Sequence, residues 1–110
     1  MRISLQMPVD ARARRLAERL ARVRLNDSIS LPGIDRLCRE VGLSRRTAER
    51  LFIAQTGLTP ARWRRQARLN DSVVNIAGGM DIGEAALLAG YRSRSAFYGA
   101  FNRTFGFAPG

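Results

Sequence analysis

Histidine and lysine are both missing from this 110-residue sequence, and cysteine occurs once, at Cys38. Without histidine the commonest general base is gone, and with it every Ser-His or Cys-His nucleophile pair. A single cysteine excludes an intramolecular disulfide and any CxxC zinc site, so neither a metal nor a cofactor is expected. With no phosphate loop or convincing carboxylate pair either, an enzyme is not expected. No apolar run approaches the roughly 18–20 residues that span a bilayer. The opening MRISLQMPVD lacks the apolar core of a signal peptide, which makes a reduced cytoplasmic setting the expectation. No stretch alternates convincingly at period two, so strands are not expected.

What the chain does have is positive charge. Its nineteen basic residues are all arginine and stand against nine acidic ones, for a net charge of +10. Such an imbalance favours a polyanionic partner, and the planar guanidinium forks onto phosphate oxygens and guanine edges. The preference for arginine over lysine can equally reflect codon composition; the net charge cannot. A chain of this length has room for one compact domain or two very small ones, burying only roughly 60–65% of the unfolded surface.

The remaining pattern is helical throughout. Residues 1–9, with Pro8, show no period and read as a linker or tail. Ala13, Leu16, Ala17, Leu20 and Val23 line one face of a helix over about 11–24, with Asp10 as N-cap. NDSIS is a turn, after which Ser30 is expected to cap a helix bearing Ile34, Leu37, Cys38 and Val41, with Gly42 ending it. Ser44 caps a third helix over 45–56, with Ala48, Leu51 and Phe52 inward. Pro60 opens a connector helix to about Ala77, with Trp63, Ala67, Val73, Val74 and Ala77 inward. The cycle then repeats: Asp81 and Glu84 form a capping-box pattern before Ile82, Ala85, Ala86 and Ala89, and Ser93 caps a helix over 94–105 with Phe97, Ala100, Phe101 and Phe105 inward.

The two halves echo each other at Ile34/Ile82 and Gly42/Gly90. After one extra residue in the second turn they echo again at Ser44/Ser93, Arg45/Arg94, Phe52/Phe101, Gly57/Gly106 and Pro60/Pro109. Two short helices around a Gly-hydrophobic-Ser turn make a helix-turn-helix. The fold class expected is therefore all-α: two homeodomain-like helix-turn-helix units, 10–58 and 79–110, joined by a long connector helix at 59–78.

Gly90-Tyr91, Ser93, Ser95, Phe97, Phe101, Gly106 and Pro109 together resemble the signature of the DNA-binding domain of the AraC/XylS transcription factors. The first unit resembles it through Ser30-Leu31, Gly42-Leu43-Ser44, Arg46-Thr47, Arg50, Phe52, Gly57 and Pro60, and the connector through Arg68-Leu69. The resemblance covers about residues 10–110. It implies sequence-specific binding to double-stranded promoter DNA and regulation of transcription, with RNA polymerase as a further candidate partner. The second helix of each unit would enter the major groove in adjacent turns about 34 Å apart. Carried onto this chain, the base-facing positions are Arg45, Arg46, Glu49 and Arg50 in the first unit, and Arg94, Ser95, Tyr98 and Gly99 in the second. The phosphate-facing set is Ser44, Thr47, Arg62, Arg68, Arg92 and Ser93. Glu49 can either accept from cytosine N4 or pair with a neighbouring arginine and orient it. Gly99 departs from the family, which usually has arginine there; it reads no base and weakens its helix by about 1 kcal/mol relative to alanine. The first helix is thus expected to carry most of the specificity. The family usually attaches an effector-sensing or dimerisation domain, so the chain reads as a domain cut from a longer regulator or as a stand-alone member.

Blander roles stand beside these. Cys38, Trp63 and the three phenylalanines of 94–105 read as core, although aromatics among basic residues also suit single-strand stacking. The arginines of 11–24 read as a solvated face or as a phosphate surface. Ser44 and Ser93 are caps that can also offer helix N–H groups to a phosphate. The second class of function is a basic amphipathic protein acting at anionic membranes, or a non-DNA interaction module. The Ala and Leu face of 11–24, without Trp or Phe, argues for packing on a neighbouring helix instead.

Overall fold

The computed structural model describes residues 5–22 and 33–110, which form helices and turns with no strand among them. The helices are α1 (Ala11–Ala21), α2 (Ile34–Glu40), α3 (Arg45–Thr56), α4 (Pro60–Ala77), α5 (Ile82–Leu88) and α6 (Arg94–Phe105). The chain divides within α4 into two compact units, so that among the described residues one holds 5–22 and 33–67 and the other 68–110. The boundary falls inside the expected connector helix rather than at its ends.

Caps set the helix starts as their residue types suggest. The carboxylate of Asp10 accepts the N–H groups of Arg12 and Ala13 at 2.9 and 3.0 Å. Those bonds, that to Ala13 foremost, hold its carboxyl below the ordinary value. Ser44 and Ser93 accept the N–H groups of Thr47 and Ala96, each at 3.1 Å. Asp81 accepts from Glu84 at 3.3 Å. The left-handed φ of +80° at Gly57 ends α3 and returns its N–H to the carbonyl of Ile53. The start of α2 differs from expectation: its N-cap is Gly33, which offers no side-chain bond. Val23, the 26–30 turn, Ser30 and Leu31 lie outside the described residues.

In the first unit, α1, α2 and α3 close over Leu16, Leu20, Leu37, Cys38 and Phe52, with Trp63 and Ala67 of α4 completing the core. Phe52 meets Trp63 edge-on at 5.9 Å between ring centroids. The entire apolar face of α1 (Ala13, Leu16, Ala17, Leu20) is buried here, which leaves none of it to enter a lipid surface. Burial also raises the thiol pKa of Cys38 and keeps it a small apolar filler.

Residues 5–9, expected as a linker or tail, lack a helix but are docked. Pro8 is fully buried, and Leu5 and Met7 pack against the core. The indole of Trp63 donates to the carbonyl of Gln6 at 2.9 Å. The side-chain carbonyl of Gln55 accepts from the backbone of Val9 and Asp10 at 2.7 and 2.9 Å. These are contacts across more than forty positions, beyond the reach of any local pattern.

In the second unit, Phe97, Phe101 and Phe105 form a ladder of edge-on rings against Leu69, Ala86 and Ala89. The stripe of α4 facing this core is Leu69, Val73 and Ile76. Val74 and Ala77, expected inward, are instead exposed, Val74 at 63%. Once Leu69 is committed to the core, positions four and seven further along share its face, and Val74 does not.

Replacing Phe52 by alanine removes a fully buried ring and is expected to destabilise the first unit by about 3–5 kcal/mol. Urea unfolding followed by the fluorescence of Trp63, the sole tryptophan and its direct neighbour, measures this. Because the Asp10 carboxyl is depressed in the folded chain, its cap contribution is present above the ordinary value of 3.8 and is lost as pH falls through its lower folded value. Wild type should lose stability over that acid window more steeply than Asp10→Asn.

Candidate nucleic-acid interface

Phe52 and Ala48 draw one face of α3 into the core, so the positions on the opposite side point outward. Arg46 and Arg50, four residues apart, are exposed there and make no ion pair with any described residue. Ile53 extends the same stripe and is 52% exposed. Hydrophobic spacing alone assigned it no role, and an exposed apolar group beside two free cations is a feature that tertiary placement reveals.

Arg45 is placed differently. Its Nη1 donates to the carboxylate of Asp35 on α2 at 3.0 Å, and its Nε lies 3.5 Å from that of Glu49. The bond to Asp35 raises its pKa further. Of the two roles open to Glu49, the structure displays the pairing one. Arg94, the equivalent position in the second unit, leans more loosely toward Asp81, with Nη2 3.9 Å from Oδ1. In both units the first residue of the outward helix reaches back to an acid at the start of the preceding helix. That acid is the second residue of α2 in one unit and the N-cap of α5 in the other.

Ser44 and Ser93 are exposed and occupied as caps, and the Ser44 hydroxyl also donates to the Thr47 hydroxyl at 2.9 Å. Thr47 is half-buried, while Arg62 and Arg92 are exposed. Ser95 is exposed and Gly99 partly so. Tyr98 is half-buried, its ring edge-on to Phe97 at 6.3 Å, so part of it belongs to the core. Arg68 departs from expectation. It is only 3% exposed, and its Nη1 donates to the carbonyl of Leu88 at 3.4 Å. A guanidinium enclosed in this way is a link between α4 and the end of α5, not a surface group for a phosphate.

Other arginines are also engaged within the fold. Arg19 and Arg36 share Glu40 at 2.7 and 3.3 Å, and Arg12 donates to the carbonyl of Gly42 at 3.3 Å. The basic face of α1 is therefore partly a brace between helices. Arg64 is half-buried, and desolvation, with Arg45 nearby, lowers its pKa. Among the described residues no cluster of three or more His, Cys, Asp or Glu could hold a metal ion. No helix among them is long and apolar enough to cross a membrane.

A family model described as a helix-turn-helix domain matches residues 37–110. Among solved structures, the chain is similar to a transcriptional regulator (AraC-type DNA-binding domain-containing proteins) from Chromobacterium violaceum. That likeness has a TM-score of 0.77 at 23% identity over 89% of this chain and 85% of the other. No curated protein matches the sequence.

Replacing Ser44 or Ser93 by alanine is expected to cost about 1 kcal/mol each by freeing a helix N–H. Thermal unfolding followed by circular dichroism measures it, with Ser95→Ala, which caps nothing, as the near-neutral control.

Proposed function

The chain belongs to the AraC-type helix-turn-helix family of DNA-binding transcription regulators, and from that premise we propose that it binds promoter duplex sequence-specifically. In this reading α3 and α6 each enter the major groove, in successive turns about 34 Å apart. The observation that carries the reading is the outward stripe of α3: Arg46 and Arg50 stand exposed on the side opposite the core, with no ion-pair partner among the described residues. A free guanidinium can bond bidentately to guanine O6 and N7.

Within the base-facing set the ion pairs suggest a division of labour. Arg46 and Arg50 read bases, while Glu49 orients Arg45 at the edge of the helix. Arg94, Ser95 and Tyr98 form the corresponding surface of α6. Ser44, Thr47 and Ser93 at the helix starts, with the exposed Arg62 and Arg92, hold the phosphate backbone. With two free arginines on its outward face, α3 carries the larger share of sequence preference.

Selection of bound sites from a random duplex pool tests the reading; the expected result is a recurrent site with a more constrained first half. Emergence of no preferred sequence, or an affinity insensitive to salt, would falsify it. The log–log slope of affinity on salt should be near 0.9 per phosphate contacted, about 0.9 for each cation engaged. Arg50→Ala is expected to cost about 1–3 kcal/mol at one base pair and to relax preference there, whereas Arg62→Ala or Arg92→Ala lowers affinity for all sequences alike. A base-substitution scan by fluorescence anisotropy separates the two patterns.

A further inference from the structure

Opposite its core anchor Phe101, α6 presents Ser95, Gly99 and Arg103 at four-residue spacing, one above another along the outward face. Ser95 is exposed and Arg103 is exposed, and Gly99 between them contributes no side chain. The guanidinium of Arg103 doubles back by one turn to lie over that gap. A Cβ built on Gly99 would stand 3.2 Å from Nη1 and 4.0 Å from Cζ of Arg103. Long helical side chains lean toward the helix N-terminus, so this direction is the ordinary one; what is particular is that glycine leaves the seat open. Arg103 makes no ion pair with any described residue, whereas Arg94, the other arginine of α6, leans toward Asp81.

A cation in the last turn can instead serve only to complement the helix dipole. In that role its head would sit among the terminal carbonyls. Here the head lies a full turn away from them, at the level of Gly99 in the middle of the outward stripe.

We propose that Arg103 is a specificity-determining residue of the second helix. Its guanidinium, seated over Gly99, makes the base contact that glycine itself cannot, reading a guanine in the second half-site. The inference rests on the DNA-binding reading above. A planar fork presented on the stripe beside Ser95 matches the O6 and N7 acceptors of guanine, and the missing side chain at 99 is what allows it close approach. Gly99 is then less a loss of the reading surface than its relocation to the next turn.

The test is a base-substitution scan of the selected duplex with the 110-residue chain and the variants Arg103→Ala, Arg103→Lys and Gly99→Leu, each checked for helix content by circular dichroism. Arg103→Ala and Gly99→Leu should flatten preference at the same base pair of the second half-site, by roughly 5- to 100-fold, and leave the first half-site profile unchanged. Arg103→Lys should keep overall affinity within a few-fold yet lose that preference, because an ammonium has no fork. The inference is overturned if Arg103→Lys retains the preference, or if Arg103→Ala weakens every sequence alike, the mark of a phosphate contact. An unchanged profile in Gly99→Leu overturns the seat. Wild type selecting no sequence defeats the DNA-binding reading itself and this inference with it; wild-type selection with an unaltered Arg103→Ala profile defeats this inference alone.

Discussion

Each outward helix is held by aromatic side chains driven into its own unit's core, Phe52 in α3 and Phe97, Phe101 and Phe105 in α6. Phe52 is enclosed against Trp63, and Phe101 against Phe97 and Phe105. A helix has one rotational setting that buries a given ring, and fixing it fixes every other side chain around the axis. Arg46 and Arg50 face outward because Phe52 faces inward. Ser95, Gly99 and Arg103 do so because Phe101 does. The reading surface is thus a geometric consequence of core packing, and no separate device is needed to present it.

Like-charge repulsion is the second constraint. Nineteen arginines against nine acids oppose compaction, and among the described residues Asp35 and Glu40 stand where they brace helices. Glu40 joins arginines of α1 and α2, and Asp35 joins α2 to α3 through Arg45. Exposed pairs of this kind contribute little energy each. Their consequence is selective: the paired arginines become part of the scaffold, and Arg46, Arg50 and Arg103, which pair with no described residue, are left facing solvent on the outward stripes. Arg68 goes furthest, since burial against the carbonyl of Leu88 removes it from the surface altogether.

The two units reach similar arrangements by different residues. The tether from the first residue of the outward helix ends on Asp35 in one unit and on Asp81 in the other, and these acids do not align in the internal repeat. A comparison of the halves therefore displays the shared arginine but not its partner. Likewise the outward stripe carries Arg46 and Arg50 in α3, whereas in α6 the cation stands at Arg103 and folds back over Gly99.

Local chemistry determined most of the secondary structure. Ser44, Ser93, Asp10 and Asp81 mark helix starts, glycines mark the stops, and the apolar spacing of α1, α2, α3, α5 and α6 names the buried faces, because capping and amphipathic period act within a few residues. The charge and the doubled motif likewise pointed to the partner class from composition and order alone. What only the tertiary structure decided are the relations between residues far apart in sequence. Those include the docking of residues 5–9 through Gln55 and Trp63, the inward stripe at Leu69, Val73 and Ile76, the burial of Arg68, and which arginines are paired and which are left facing solvent. An arginine's side chain is long enough to serve several neighbours, and its sequence position does not say which of them the fold will bring within reach.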